Sequence, residues 1–107
     1  MIDAPNRLWD DLPRQALAEF SRRNRIRRLA LFGSALRDDF HSDSDLDILV
    51  EFEPDARIGL RFFALQRELT ELLGRAVDLN TPAFLSPYFR EQVMAEAEDL
   101  YLLAGME

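Results

Sequence analysis

The chain of 107 residues is 48% hydrophobic and 31% charged, contains no cysteine and carries a formal net charge of −7. These values predict one globular domain over residues 1–107, and they exclude disulfides, thiol nucleophiles and thiolate zinc sites. All 13 basic residues are arginines and His41 is the only histidine, which excludes lysine Schiff bases, lysine-dependent phosphate loops and multi-histidine metal sites. Carboxylates and hydroxyl groups must therefore carry any catalysis.

The charge and the amino-terminal residues bear on compartment and partners. Residues 1–5 lack the basic and then apolar order of a secretory signal, and no apolar run approaches the ~20 residues of a membrane span. We therefore expect a cytoplasmic protein with no membrane partner. Because the net charge is negative, the surface as a whole repels nucleic-acid backbones, and a nucleic acid is not expected as a direct partner.

The chain begins with the pattern of a helix followed by a strand. Apolar residues recur at helical spacing over residues 12–23, and Asn24 is predicted to end this helix in a left-handed conformation. Residues 26–32 form a run rich in β-forming residues, which predicts the first strand. A helical turn or short helix is expected over residues 34–39.

The middle of the chain predicts a strand and then an amphipathic helix. Residues 45–52 have an apolar centre and are followed by Pro54, which predicts a second strand that ends before the proline. A helix follows with Gly74 as its expected cap. Its apolar stripe consists of Ile58, Phe62, Leu65, Leu69, Leu72 and Leu73.

The last third of the chain predicts a third strand and a final helix. Residues 76–80 read as a short strand, and Ser86 and Pro87 have the pattern of an N-cap and first helical position for a helix over residues 87–103. No repeat or linker interrupts this order of helices and strands. The sequence therefore predicts a single α/β domain around a sheet of three or four strands.

Two acidic residues at the start of the second strand are the first candidate site residues. In a strand, residues i and i+2 point to the same face, so Asp45 and Asp47 would direct two carboxylates to one place. Such a pair repels itself unless a cation neutralises it. With oxygen ligands and no thiolate or imidazole nearby, Mg²⁺ is the preferred cation, with Mn²⁺ possible.

Two further segments complete the candidate site. Gly33 lets a ligand approach the backbone, and Ser34 adds a hydroxyl beside the N–H groups of the following turn, which favours a phosphate. Asp78 lies within the apolar third strand, where an acid is unexpected. Three acids could hold two metal ions. Taken singly, each of these residues is also compatible with a solvated turn, a cap or an ion pair.

Two other groups of residues have competing interpretations. The arginines between residues 22 and 28 could contact RNA or a nucleotide, but arginine near a helix carboxyl terminus is favoured by the helix dipole, so a solvated surface role is preferred. Phe62, Phe63 and Leu65 could face a partner, but their helical spacing predicts that most of them lie in the core.

The order of these motifs resembles the minimal nucleotidyltransferase (MNT) family, in the superfamily that includes the polymerase-beta palm. The residues that carry the resemblance are Gly33-Ser34-x-x-Arg37, Ser44-Asp45-x-Asp47 on a strand, and Asp78 on the next strand. The resemblance covers nearly the whole chain. It implies the nucleotidyltransferase fold, an α/β (α+β) architecture in which about four helices pack a small mixed sheet of three to four strands.

The resemblance also implies roles for these residues. Asp45 and Asp47 would be metal ligands and Asp78 the third acid, binding two Mg²⁺ ions with ATP as the substrate. Gly33 and Ser34 would hold the nucleotide phosphates. Arg37 would contact phosphate or pair with a neighbouring acid. The chain departs from the family pattern after this arginine, because Asp38 stands where a glycine is common and adds negative charge near the triphosphate.

Many members of this family are antitoxins encoded beside a HEPN-domain toxin, usually an RNase, and some transfer AMP from ATP to a toxin tyrosine. The implied function is Mg²⁺-dependent transfer of AMP from ATP to a hydroxyl, favouring a tyrosine, of the HEPN toxin in a hetero-oligomer. An alternative is an antitoxin that neutralises its toxin by binding alone. Transfer of a nucleotide to a small molecule fits less well, because enzymes of the superfamily that do so usually have an additional domain for the acceptor.

Overall fold

The computed structural model describes residues 12–36 and 45–103. Several predicted features lie outside this part of the chain, namely Arg37, the neighbouring acids Asp38 and Asp39, His41, Ser44 and the side chain of Ser34. Among the described residues, no helix combines the length and apolar character needed to cross a membrane.

The first helix, α1, spans Arg14–Arg23 and buries Leu17 and Phe20. Its end differs from the prediction, because Asn24 has a φ of −108° and the left-handed residue is Arg25, with a φ of 59°. Asn24 instead donates a hydrogen bond from Nδ2 to the carbonyl oxygen of Phe20, at 2.8 Å. The same carbonyl also accepts the backbone N–H of Asn24 at 3.2 Å, so the side chain adds a second bond at the end of the helix.

A mixed four-stranded sheet forms the centre of the domain, as predicted. Its strands are β1 (Ile26–Phe32), β2 (Leu46–Phe52), β3 (Val77–Asn80) and β4 (Glu98–Leu102). They lie in the order β3-β2-β1-β4, with β1 antiparallel to β2 and β4, and β2 parallel to β3. The carboxyl end of β1 therefore lies beside the amino ends of β2 and β3.

The core lies on one face of this sheet. The second helix, α2, spans Arg61–Leu73, and its Leu65 and Leu69 are buried together with the core residues of α1 and alternate residues of the strands. Because alternate strand residues share a face, α1 and α2 cover the same face, and Asp47 and Asp78 lie on the opposite one. Gly74 ends α2 with a φ of 73°, which confirms the predicted cap.

The carboxyl-terminal segment differs from the predicted helix over residues 87–103. The third helix, α3, spans Pro87–Glu96, and the Ser86 hydroxyl caps it by accepting a hydrogen bond from the Tyr88 N–H. After α3 the chain becomes extended and forms β4. This strand pairs with the free edge of β1 and buries Leu100. Both contacts involve residues distant in the sequence, so the local sequence pattern does not reveal them.

Candidate active site

The candidate active site lies where β1 ends and β2 and β3 begin. Phe32, the last residue of β1, pairs with Asp47 of β2, and Asp47 pairs in turn with Asp78 of β3. Asp47 thus lies on β2, between Asp78 of β3 on one side and the end of β1 on the other. The fold brings together three segments that are far apart in the sequence.

Asp47 and Asp78 project from the same face of the sheet. Residues paired across neighbouring strands share a face, and such strands lie about 4.8 Å apart. Asp47 is half-buried and Asp78 is exposed. Two carboxylates in this arrangement repel each other, and a cation beside both would offset the repulsion.

Asp45 lies at the exposed start of the same strand. It immediately precedes β2, and strand alternation places it on the Asp47 side of the sheet. Within residues 12–36 and 45–103, no three acidic or histidine side chains close into a preformed metal cluster. The structure therefore aligns Asp47 with Asp78 in register, and the catalytic roles of the three acids remain predictions.

Gly33 brings the chain backbone against the Asp47 carboxylate. It opens a 3₁₀ segment, Gly33–Leu36, in place of the start of the predicted short helix. Its φ is 69°, which glycine adopts readily, and a β-carbon here would lie 2.5 Å from Oδ2 of Asp47. Only glycine leaves this approach open. The oxygen-only donor set beside an open backbone matches the chemistry of Mg²⁺ and a phosphate group.

Two amide side chains near Asp78 were not identified from the sequence. Gln66 of α2 accepts a hydrogen bond from the Leu79 N–H through Oε1, at 2.9 Å, and Asn80 donates one from Nδ2 to the Asp78 carbonyl oxygen, at 3.2 Å. The available signal was weak: Gln66 is a polar residue directly after Leu65 in the apolar stripe of α2. Both contacts involve the peptide unit between Asp78 and Leu79.

The arginines between residues 22 and 28 mostly pair with carboxylates of this chain. The pairs are Arg23 with Glu68, Arg25 with Glu53 and Asp55, Arg27 with Glu51, and Arg28 with Glu51 and Asp99. The hydrogen bond from Arg25, and then its charge, lower the pKa of the Asp55 carboxyl. These pairs leave little positive charge for a nucleic-acid backbone, which favours the surface interpretation.

Exposed aromatic side chains gather beyond the carboxyl end of β3. Phe62 packs partly on the core and makes edge-to-face contacts with Phe63 and Phe84, with ring centroids 5.9 and 5.5 Å apart. Phe63 and Phe84 are more than half exposed, and Tyr88 is 91% exposed. The aromatic patch, as we call it, comprises Phe62, Phe63 and Phe84. Leu60 and Phe89 are exposed as well.

Comparison with known proteins identifies nucleotidyltransferases as relatives of this chain. The nucleotidyltransferase domain family matches residues 13–100. Protein adenylyltransferase MntA of Thermococcus cleftensis is 37% identical over 78 residues, which span 73% of this chain and 78% of that protein. A Methanocaldococcus jannaschii protein assigned as a protein adenylyltransferase is 36% identical over 75 residues, 70% of this chain and 80% of that protein.

Solved structures with the same fold include toxin–antitoxin complexes. A chain from a toxin–antitoxin crystal structure with AMP-PNP aligns with a TM-score of 0.68 and 25% identity, covering 87% of this chain and 76% of that chain. A structure assigned as a minimal nucleotidyltransferase aligns with a TM-score of 0.66 and 39% identity, covering 78% of this chain and 85% of that chain.

Proposed function

Because this chain belongs to the nucleotidyltransferase domain family, we propose that it is a protein adenylyltransferase that moves AMP from ATP to a hydroxyl group of a partner protein. The observation that carries the proposal is the register that aligns Asp47 with Asp78, with Gly33 against the Asp47 carboxylate. Its relatives that are named adenylyltransferases support AMP as the transferred group, and the structural neighbour with AMP-PNP supports ATP as the donor.

The donor chemistry of the site fits hard divalent cations. Asp45, Asp47 and Asp78 would hold two Mg²⁺ ions, with Mn²⁺ as an alternative, and these ions when bound polarise the α-phosphate and neutralise charge on the entering and leaving oxygens. Asp47 and Asp78 supply carboxylate oxygens on one face of the sheet. Asp45, at the start of β2, supplies the third carboxylate.

The residues of the chain bind the nucleotide and move one proton. The exposed Asp78 carboxylate accepts the proton of the acceptor hydroxyl, a role suited to a carboxylate that an incoming protein can reach. The acceptor oxygen then bonds to the α-phosphorus while the bond from this phosphorus to the bridging oxygen of the β-phosphate breaks, and pyrophosphate leaves. Gly33 keeps the backbone open to the phosphates, and Ser34 and Arg37 contact phosphate oxygens.

The partner we propose is a HEPN-domain toxin of the RNase type, modified on a tyrosine within a hetero-oligomer. The structural neighbour with AMP-PNP is a toxin–antitoxin complex, which supports an antitoxin role for this chain. In this proposal, residues 1–107 act as one minimal domain in the cytoplasm, where ATP is available.

A second candidate function is neutralisation of the toxin by binding alone. The aromatic patch favours it, because exposed apolar side chains gathered in one place are typical of protein-binding surfaces. Binding does not require Asp47 and Asp78 in register, whereas nucleotidyl transfer does. The two functions are compatible in one chain, and an assay of transfer separates them.

The test combines the purified chain, the toxin encoded beside it, Mg²⁺ and ATP labelled on the α-phosphate. We expect AMP on a toxin tyrosine, located by mass spectrometry. An Asp47→Asn variant should lose the label, while Glu91→Gln, which removes an exposed acid on α3, should keep it. A stable complex without label would reject the enzyme in favour of binding alone, and neither complex nor label would reject both functions.

A further inference from the structure

We propose that Gln66 is a positioning residue for Asp78, which it orients by holding the peptide unit that follows this acid. The inference rests on the proposed function, since it assigns Gln66 a part in the transfer reaction. Gln66 lies on α2, on the core side of the sheet, and Asp78 projects from the other side. Gln66 therefore acts through the backbone of β3 and does not itself contact the reacting groups.

The contact that carries this inference is a hydrogen bond to an outer strand. β3 has four residues and pairs with β2 on one side only. On its other side, the Leu79 N–H donates to Oε1 of Gln66 at 2.9 Å in a partly buried setting. A glutamine side chain here takes the place of a neighbouring strand.

The same peptide unit has a second amide partner. The Asp78 carbonyl oxygen accepts a hydrogen bond from Nδ2 of Asn80 at 3.2 Å. The N–H and the carbonyl of one planar peptide are thus each bonded to an amide side chain. Together, the two bonds restrict rotation of this plane about the Cα atoms of Asp78 and Leu79.

Rotation of this plane matters because it changes the direction of the Asp78 side chain. The parallel ladder with β2 holds the strand on one side, whereas on the outer side Asp78 is exposed and not held by packing. The buried side chains of Val77 and Leu79 fix the strand against the core, whereas the Gln66 bond fixes the plane beside the acid. A catalytic carboxylate displaced by about 1 Å costs on the order of a hundredfold in rate.

The test uses the full chain with the toxin and labelled ATP. Gln66→Met keeps the volume and removes the strong acceptor, Gln66→Glu keeps an acceptor oxygen, and Gln92→Met makes the same change at an exposed glutamine of α3. Two quantities are measured: kcat and KM for transfer, and hydrogen exchange of the Leu79 amide by NMR. The exchange measurement reports on the hydrogen bond without requiring any activity.

We expect Gln66→Met to lower kcat by about tenfold or more while KM for ATP stays within about twofold. Leu79 exchange should accelerate by about tenfold, Gln66→Glu should largely restore both quantities, and Gln92→Met should change neither. The inference is overturned if Gln66→Met leaves Leu79 exchange unchanged, or if it accelerates this exchange while kcat stays at the wild-type value. It is also overturned if Gln66→Met and Gln66→Glu lose the same share of kcat, in proportion to a fall in their melting temperatures. Absence of transfer by the wild-type chain would reject the proposed function and this inference with it, whereas normal transfer by Gln66→Met rejects the inference alone.

Discussion

Gly33 and Asp47 approach each other so closely that no side chain fits at residue 33. A β-carbon there would lie 2.5 Å from Oδ2 of Asp47, well inside van der Waals contact, and it would also meet the Asp47 Cγ at 3.3 Å. Because the nearest atoms all belong to the Asp47 side chain, a side chain at residue 33 would force this carboxylate to turn away from its position in the site. Glycine at this position thus leaves the Asp47 carboxylate undisturbed.

Gly33→Ala should therefore slow transfer through a collision with Asp47 that adds to backbone strain. The matched control is Gly74→Ala, since Gly74 has nearly the same φ, 73° against 69°, with nothing within 4 Å of the added carbon. Gly74→Ala should lose about 1 kcal/mol of unfolding free energy and keep full transfer activity. Gly33→Ala should lose more stability and at least about tenfold in kcat. Urea denaturation and the labelled-ATP assay measure both, and equal behaviour of the two variants would contradict the argument.

Asp78→Asn should stabilise the chain without divalent ions and lose that advantage when Mg²⁺ is present. The change removes one of two carboxylates in register, and like charges so paired cost about 0.5 kcal/mol, or about 2–4 °C in Tm for a domain of this size. Mg²⁺ stabilises the form that binds it, which is the wild type. Melting curves in EDTA and in excess Mg²⁺ provide the test, with Glu91→Gln as a control that should behave like the wild type in both conditions. An equal rise in Tm with Mg²⁺ in all three proteins would show that the aligned acids do not hold the ion.

The sequence predicted the elements that present the acids because their signals are local. Alternation and β-branched residues mark β2 around Asp47, and Gly74 marks the end of α2 with the left-handed conformation that was expected. The meeting of Asp47 with Asp78 was predictable only in part. A strand pattern shows which face a residue occupies, but the register between two strands depends on how distant segments pair.

The failures of prediction have a common physical origin in contacts between distant residues. β4 forms because it pairs with the free edge of β1 and buries Leu100 in the core. Both contacts depend on residues outside 98–102, so the local sequence does not predict them. Arg25, and not Asn24, adopts the left-handed conformation while it pairs with Glu53 and Asp55 across the turn. The bond between Gln66 and Leu79 likewise depends on the packing of α2 beside β3.

Arg25→Gln should raise the pKa of the Asp55 carboxyl towards its usual range. In the folded chain, the hydrogen bond from Arg25 and its positive charge favour ionised Asp55 and lower this pKa. The pair therefore stabilises the fold above the pKa of Asp55 in the unfolded chain, and this stabilisation is lost as the pH falls through the lower, folded value. An NMR titration of the Asp55 side-chain carboxyl measures the shift, and Arg22→Gln, at an exposed arginine of α1, is the control. An unchanged Asp55 titration in Arg25→Gln would contradict the assignment.

Phe63→Ala and Phe84→Ala should weaken binding of the proposed toxin without unfolding the chain. Both side chains are largely exposed, at 62% and 65%, so their removal leaves no cavity in the core. Truncating an aromatic side chain that anchors an interface costs about 1 kcal/mol or more, which corresponds to about a fivefold to tenfold rise in Kd. Leu102→Ala is the matched control, because Leu102 is 50% exposed but lies on β4, the strand at the opposite side of the sheet from β3. Calorimetric titration with the toxin measures Kd, and thermal melting checks the fold. If neither patch variant raises Kd, or if Leu102→Ala raises it as much as they do, the toxin binds elsewhere on the chain.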